Sequence, residues 1–125
     1  MFVISDDLTI NITRGDTALF HIKADINGTV YQFKVGDEVR LNVFTKKDCG
    51  EVVLSKTVNV NSETESVEIE LTSEETKIGE VISRPVDYWY EIELNPDTKP
   101  QTIVGYDEDG AKVFRLYPEG GIVNE

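Results

Sequence analysis

Tyr88-Trp89-Tyr90-Glu91-Ile92-Glu93-Leu94 decides the fold. Tyr88, Tyr90, Ile92 and Leu94 alternate with Trp89, Glu91 and Glu93. Successive side chains on a strand point to opposite faces, so this alternation predicts a strand with one buried and one wet face. Aromatic and β-branched groups suit that pleated surface. Asn95-Pro96-Asp97 ends the strand with turn chemistry.

The same period of two runs outward in both directions. Leu8, Ile10 and Ile12 alternate before the polar turn Thr13-Arg14-Gly15-Asp16. Ala18, Phe20, Ile22, Ala24 and Ile26 continue as one strand to Asn27-Gly28. That dipeptide predicts a type I′ hairpin, because both central residues need positive φ. The return strand is expected over Thr29 to Val35. Val39, Leu41 and Val43 alternate next, Glu51 to Val60 is rich in valine, and Val67, Ile69 and Leu71 alternate again. Thr102 to Tyr106 and Ala111 to Tyr117 are expected to form a hairpin closed by Asp107-Glu108-Asp109-Gly110. One helical signal interrupts the pattern. Thr72-Ser73-Glu74-Glu75 has the form of a capping box, and Gly79 supplies a stop.

About eight to ten short strands at roughly 8–12-residue spacing predict an all-β antiparallel sandwich. One short helical crossover near Thr72 to Gly79 is expected within it. Residues 1–117 are read as a single domain and 118–125 as a C-terminal arm. A chain of 125 residues fits one domain and can bury an ordinary core.

The charge is strongly acidic, with 24 Asp and Glu against 12 Lys and Arg, a formal net of −12. Such a surface repels phosphate backbones and anionic lipid, so neither nucleic acid nor membrane is expected as a partner. A basic partner or cations are the attractive alternatives. No run approaches the ~20 apolar residues of a membrane helix. The opening Met1-Phe2-Val3-Ile4-Ser5-Asp6-Asp7 lacks the pattern of a secretory signal, so folding in a reducing cytoplasm is expected. The single cysteine, Cys49, reads as a turn residue.

Catalytic chemistry has little to draw on. His21 is the only histidine, sits mid-strand, and has no nucleophile placed near it by the sequence. A zinc site needs more histidine or cysteine than the chain holds. Asp107 and Asp109 could ligate calcium, but the further oxygen ligands of a full calcium loop are missing. Arg14-Gly15-Asp16 matches an adhesion tripeptide at a turn that wants glycine and aspartate anyway. No catalytic, cofactor or metal residues are assigned, and no enzyme activity is expected. Trp89 faces away from Tyr88 and Tyr90; it either fills the core or lies under a loop, or it faces outward, where tryptophan is a common interface anchor. Trp89 and the arm residues Gly120, Gly121, Ile122 and Val123 are the candidate interface residues.

Several segments, in order, resemble a known family. They are Ile12-Thr13-Arg14-Gly15-Asp16-Thr17, Gly36-Asp37-Glu38-Val39-Arg40-Leu41, Leu71-Thr72-Ser73-Glu74-Glu75-Thr76, Tyr88 to Leu94 and Gln101-Thr102-Ile103-Val104-Gly105. This order is similar to small immunoglobulin-like virion proteins of tailed phages and prophages of Gram-positive bacteria. It also resembles the N-terminal domain of phage baseplate upper proteins. The resemblance spans Leu8 to Tyr117. It implies an immunoglobulin-like sandwich, present in multiple copies, that binds other virion or tail-particle proteins as a baseplate, fibre-attachment or decoration component. The family offers no catalytic residues. Baseplate upper proteins continue into long receptor-carrying segments that are missing from this sequence. A small carbohydrate-binding module using Trp89, Tyr88 and Tyr90 is the alternative reading of the aromatics.

Overall fold

The computed structural model describes residues 1–47 and 50–119. Its elements run β1 (Phe2–Ile4), β2 (Ile10–Thr13), β3 (Ala18–Ile22), β4 (Asp25–Ile26), β5 (Thr29–Val30) and β6 (Glu38–Phe44). They continue with β7 (Val52–Asn59), β8 (Val67–Leu71), β9 (Val86–Leu94), β10 (Gln101–Val104) and β11 (Lys112–Tyr117). The fold is all-β, with no helix among the described residues.

A large sheet has the order β1-β2-β11-β9-β6-β7, with β10 also paired to β9. β3 and β8 form a separate antiparallel pair, and β4 and β5 a small hairpin. The alternation read from the sequence decides which side of each strand is buried. Ala18, Phe20 and Ile22 of β3 and Val67, Ile69 and Leu71 of β8 are buried. They join Val39, Leu41 and Val43 of β6, Tyr90, Ile92 and Leu94 of β9, and Phe114 and Leu116 of β11 in one core. Two sheets with a shared core and a wet outer side are consistent with a β-sandwich. Phe2 reaches over from β1 and meets Phe20 edge to face at 4.8 Å.

The pairing is mixed rather than antiparallel throughout. β11 runs antiparallel to β9 but parallel to β2, with Phe114 opposite Ile10 and Tyr117 opposite Thr13. Residues far apart in sequence need no tight turn, so both directions are open to them.

The expected helical crossover is a single turn. The capping box does form: Thr72 N–H donates to Glu75 Oε1 at 2.9 Å, and Glu75 N–H to Thr72 Oγ1 at 3.3 Å. Thr76 N–H then reaches Thr72 O at 3.2 Å, but the chain does not wind on. Thr76 is fully buried, and its hydroxyl bonds to Asp16 O at 2.7 Å and accepts from Gly15 N–H at 3.0 Å. Ile78 is drawn into the core, and Gly79 has φ 64°. Tertiary contacts take the residues that a second turn would need.

Three strand expectations also change. The strand through Ala18 breaks after Ile22, opposite Val67, the first residue of β8, so its partner extends no further. Asn27 and Gly28 do turn with φ 55° and 80°, but the hairpin around them is only two residues deep on each side. The return strand stops because Phe33 is pulled fully into the core and bonds Thr64 in both directions. Finally, β10 and β11 do not pair with each other. They lie end to end along β9, with β10 on Ile92 to Leu94 and β11 on Val86 to Tyr90. The link Gly105 to Ala111 is thereby set beside the middle of β9.

Candidate functional site

The register of the large sheet builds an apolar row on its outer face. Trp89 stands opposite Val113 on one side and Phe44 on the other, and Phe44 stands opposite Val52. Phe44 is 8% exposed, yet it lies outside the main core cluster. It is buried under its own outer-face neighbours instead. Trp89 is half-buried and Val52 is exposed. Cross-strand aromatic and β-branched pairs of this kind contribute about 0.2–1 kcal/mol each.

Tyr106, from the link between β10 and β11, borders the same place and is 77% exposed. Phe44, Trp89, Tyr106, Glu91 and two lysines, Lys47 and Lys112, line a small cleft there. Gly105 lets the link lie close: an added Cβ would fall 2.7 Å from Thr102 Cγ2 and 3.7 Å from Glu91 Cβ.

Glu91 and Glu93 are two positions apart on β9 and share the outer face with Trp89. Neither has an ion-pair partner among the described residues. Burial pushes the Glu91 carboxyl above its ordinary range, and the neighbouring Glu93 adds to the effect. Arg40, opposite Glu93, is held by Asp97 through two hydrogen bonds at 3.0 and 3.3 Å.

A second, wider cleft adjoins this one across Ala111 and Lys112, and four aspartates line it: Asp6, Asp7, Asp107 and Asp109. Lys112 is buried, and its ammonium bonds Asp107 Oδ1 at 2.8 Å. Asp107 also accepts from Asp109 N–H at 2.9 Å. Lys112 first, then that N–H, hold Asp107 below the ordinary carboxylate range. Among the described residues, no group of three or more His, Cys, Asp or Glu side chains is arranged to hold a metal.

The residues singled out from the sequence are scattered. Trp89, whose face the sequence leaves open, is half-buried on the outer face. Tyr90 points inward, its hydroxyl donating to Leu8 O at 2.6 Å, and Tyr88 packs against the core. The three aromatics therefore do not form one stacking platform. His21 is exposed, with Nδ1 4.0 Å from Glu68 Oε1. Arg14 is buried, donating to Ile78 O at 3.3 Å and Gly79 O at 2.8 Å, so its turn does not present a free arginine. Gly120, Gly121, Ile122, Val123 and Cys49 lie outside the described residues.

Sequence reading missed Phe44, Glu91 and Tyr106 as parts of one site. A signal existed for Phe44. It breaks the phase of Val39, Leu41 and Val43, as Trp89 breaks that of Tyr88 and Tyr90. Two out-of-phase aromatics on strands mark a cluster on the second face.

No helix among the described residues is long and apolar enough to cross a membrane. Compared with models of known families, with curated proteins and with solved structures, the chain matches none.

Proposed function

We propose that the protein is a non-enzymatic assembly module, an immunoglobulin-like domain of a phage or phage-like tail particle. The observation that carries the docking part is the row Val113, Trp89, Phe44 and Val52 on the outer face of the large sheet. Phe44 is buried within the row, Trp89 and Val113 are half-buried, and Val52 and the neighbouring Tyr106 are exposed, so a tryptophan anchor on an outer sheet face has exposed apolar groups beside it, a combination frequent at interfaces.

The strand order supports the immunoglobulin-like reading. In that fold one sheet carries strands C, F and G, variable domains extend it with C′, and B and E pair in the other sheet. Here β11-β9-β6-β7 follows G-F-C-C′, and β3-β8 follows B-E. The β4–β5 hairpin and β10 are additions to that scheme. The open outer edges of β1 and β7 offer further places for strand pairing. The tail-particle assignment rests on the ordered segments from Ile12 to Gly105. Partners are then other particle proteins, met by several copies of this chain.

Mass spectrometry of particles purified by density gradient from the producing strain tests this. The chain is expected in the particles in multiple copies. Trp89→Ala is expected to fold but to be depleted from them. Absence of the chain from particles, together with a monomer that binds no particle component, overturns the reading. Glycan binding that disappears in Trp89→Ala would favour a carbohydrate-binding module instead.

A further inference from the structure

We infer that the cleft between Trp89, Tyr106 and Glu91 receives a cationic side chain, arginine or lysine, from a basic segment of the partner protein. The inference rests on the outer face of the large sheet being the docking face, and it specifies what docks there.

Three observations lead to it. The first is the pairing of aromatic and acidic groups. Trp89 and Tyr106 offer π faces, and a cation within ~6 Å of such a ring is attracted to it. Glu91 sits two residues along the same face, so one guest could meet ring and carboxylate together.

The second is an uncompensated charge. Arg40, Arg115, Lys56, Lys77 and Lys112 each have an acidic partner within 4.0 Å. Glu91 and Glu93 have none among the described residues, although Glu91 is half-buried. A partly buried carboxylate without a partner is unfavourable in the free protein, and a guest cation would relieve it. Lys47 and Lys112 also line the cleft, but Lys112 is held by Asp107 at 2.8 Å and Lys47 makes no ion pair with Glu91 among the described residues, so the Glu91 carboxylate is left for the guest.

The third is size and surrounding field. The cleft has 40 Å³ of open volume, and a single water needs ~10–15 Å³ on that scale. It takes a side-chain head rather than a sugar ring. The adjoining cleft adds Asp6, Asp7, Asp107 and Asp109, and the whole chain carries −12. A basic segment is steered to this end, and an acidic or neutral one is not.

The test uses the purified full chain. Trp89 is the only tryptophan, so its indole N–H gives one identifiable signal in a proton–nitrogen spectrum. The probe is an acetylated, amidated Gly-Arg-Gly-Arg-Gly peptide, with its citrulline counterpart as the neutral control. The arginine peptide is expected to move the Trp89 signal saturably, and the citrulline peptide to leave it in place. Glu91→Gln and Tyr106→Ala should each weaken binding by about fivefold, the scale of one cation–π or exposed ionic contact. Glu63→Gln removes the same charge from the exposed link between β7 and β8 and should leave binding unchanged. Equal loss in Glu63→Gln and Glu91→Gln would reduce the effect to general acidity and overturn the inference. So would equal shifts with the citrulline peptide, or no shift at all. If particle incorporation still depends on Trp89 in that case, the docking reading stands and only the cationic guest falls.

Discussion

Asn95 donates through Nδ2 to Asp37 Oδ1 at 3.1 Å, tying the start of β6 to the turn that ends β9. Asn95 holds φ 49°, a conformation that asparagine tolerates better than most residues. Its own Oδ1 accepts from Glu38 N–H at 2.9 Å. Asp37 is 9% exposed and accepts in addition from Tyr31 Oη at 2.8 Å and Lys34 N–H at 3.0 Å. Burial pushes the Asp37 carboxyl up, but the Lys34 N–H, Asn95 and Tyr31 together outweigh it and hold it below 3.8. Asp37→Ala is expected to lose about 2–3 kcal/mol in urea unfolding, since it strands several donors around one buried position. The pH dependence follows from the sign. A depressed folded pKa stabilises above the unfolded value, so this contribution is complete above about pH 4 and lost as pH falls through the folded value. Asp37→Asn should show a shallower loss of stability than the parent chain over that acid range.

Thr76 makes a second junction testable. Its buried hydroxyl donates to Asp16 O and accepts from Gly15 N–H, linking the turn after β8 to the turn before β3. Thr76→Val keeps the shape and strands both backbone groups, at about 1–3 kcal/mol for each group left unsatisfied. Thr76→Ser keeps both bonds and should lose about 1 kcal/mol for the missing methyl. Urea midpoints of the two variants distinguish them, and a valine variant as stable as the serine variant would show that water replaces the hydroxyl.

What could be read from the sequence follows from what period-two alternation encodes. It reports which face of a strand is buried, and Phe20, Leu41, Ile69 and Ile92 were all legible as core for that reason. It does not report which strands are neighbours. The parallel contact of β11 with β2 and the end-to-end placement of β10 and β11 on β9 depend on long-range pairing. The capping box at Thr72 and Glu75 was a correct local signal whose extension was overridden by Thr76 and Ile78 entering tertiary contacts. The candidate site was half legible. Trp89 and Phe44 each break the phase of their strand, but their meeting depends on the register of β6 on β9, and Tyr106 joins them only through the path of the link after β10.

The outer-face cluster should behave as a unit separate from the core. Phe44 is buried beside Trp89, and Leu41 lies on the opposite face of the same strand. Phe44→Ala is expected to destabilise by about 3–5 kcal/mol and to shift Trp89 emission to the red as water reaches the indole. Leu41→Ala should destabilise by a similar amount, about 2–5 kcal/mol, while leaving the emission of the folded protein in place. Identical emission in the two folded variants would place Trp89 outside the Phe44 cluster.

Glu91 should be a residue whose replacement stabilises the fold. Its carboxyl is raised above 4.5 by burial first and by Glu93 second. The charged groups around it are Glu93 on its own strand, Lys47 in the same cleft, Arg40 on β6 already paired with Asp97, and Lys112, which also lines the cleft and is already paired with Asp107. A raised folded pKa in an acid means that ionisation disfavours the native state at neutral pH, and the penalty fades as pH falls and the carboxyl takes up a proton. Glu91→Gln is therefore expected to unfold at higher urea than the parent at pH 7, by about 0.2–1 kcal/mol, the scale of a like-charge contact on a sheet face. The difference should shrink toward pH 4. The same substitution is expected to weaken the arginine peptide, so one residue would lower stability while raising affinity. A variant less stable than the parent at pH 7 would mean that Glu91 already has an internal cation, and Lys47→Ala measured beside it would identify that cation.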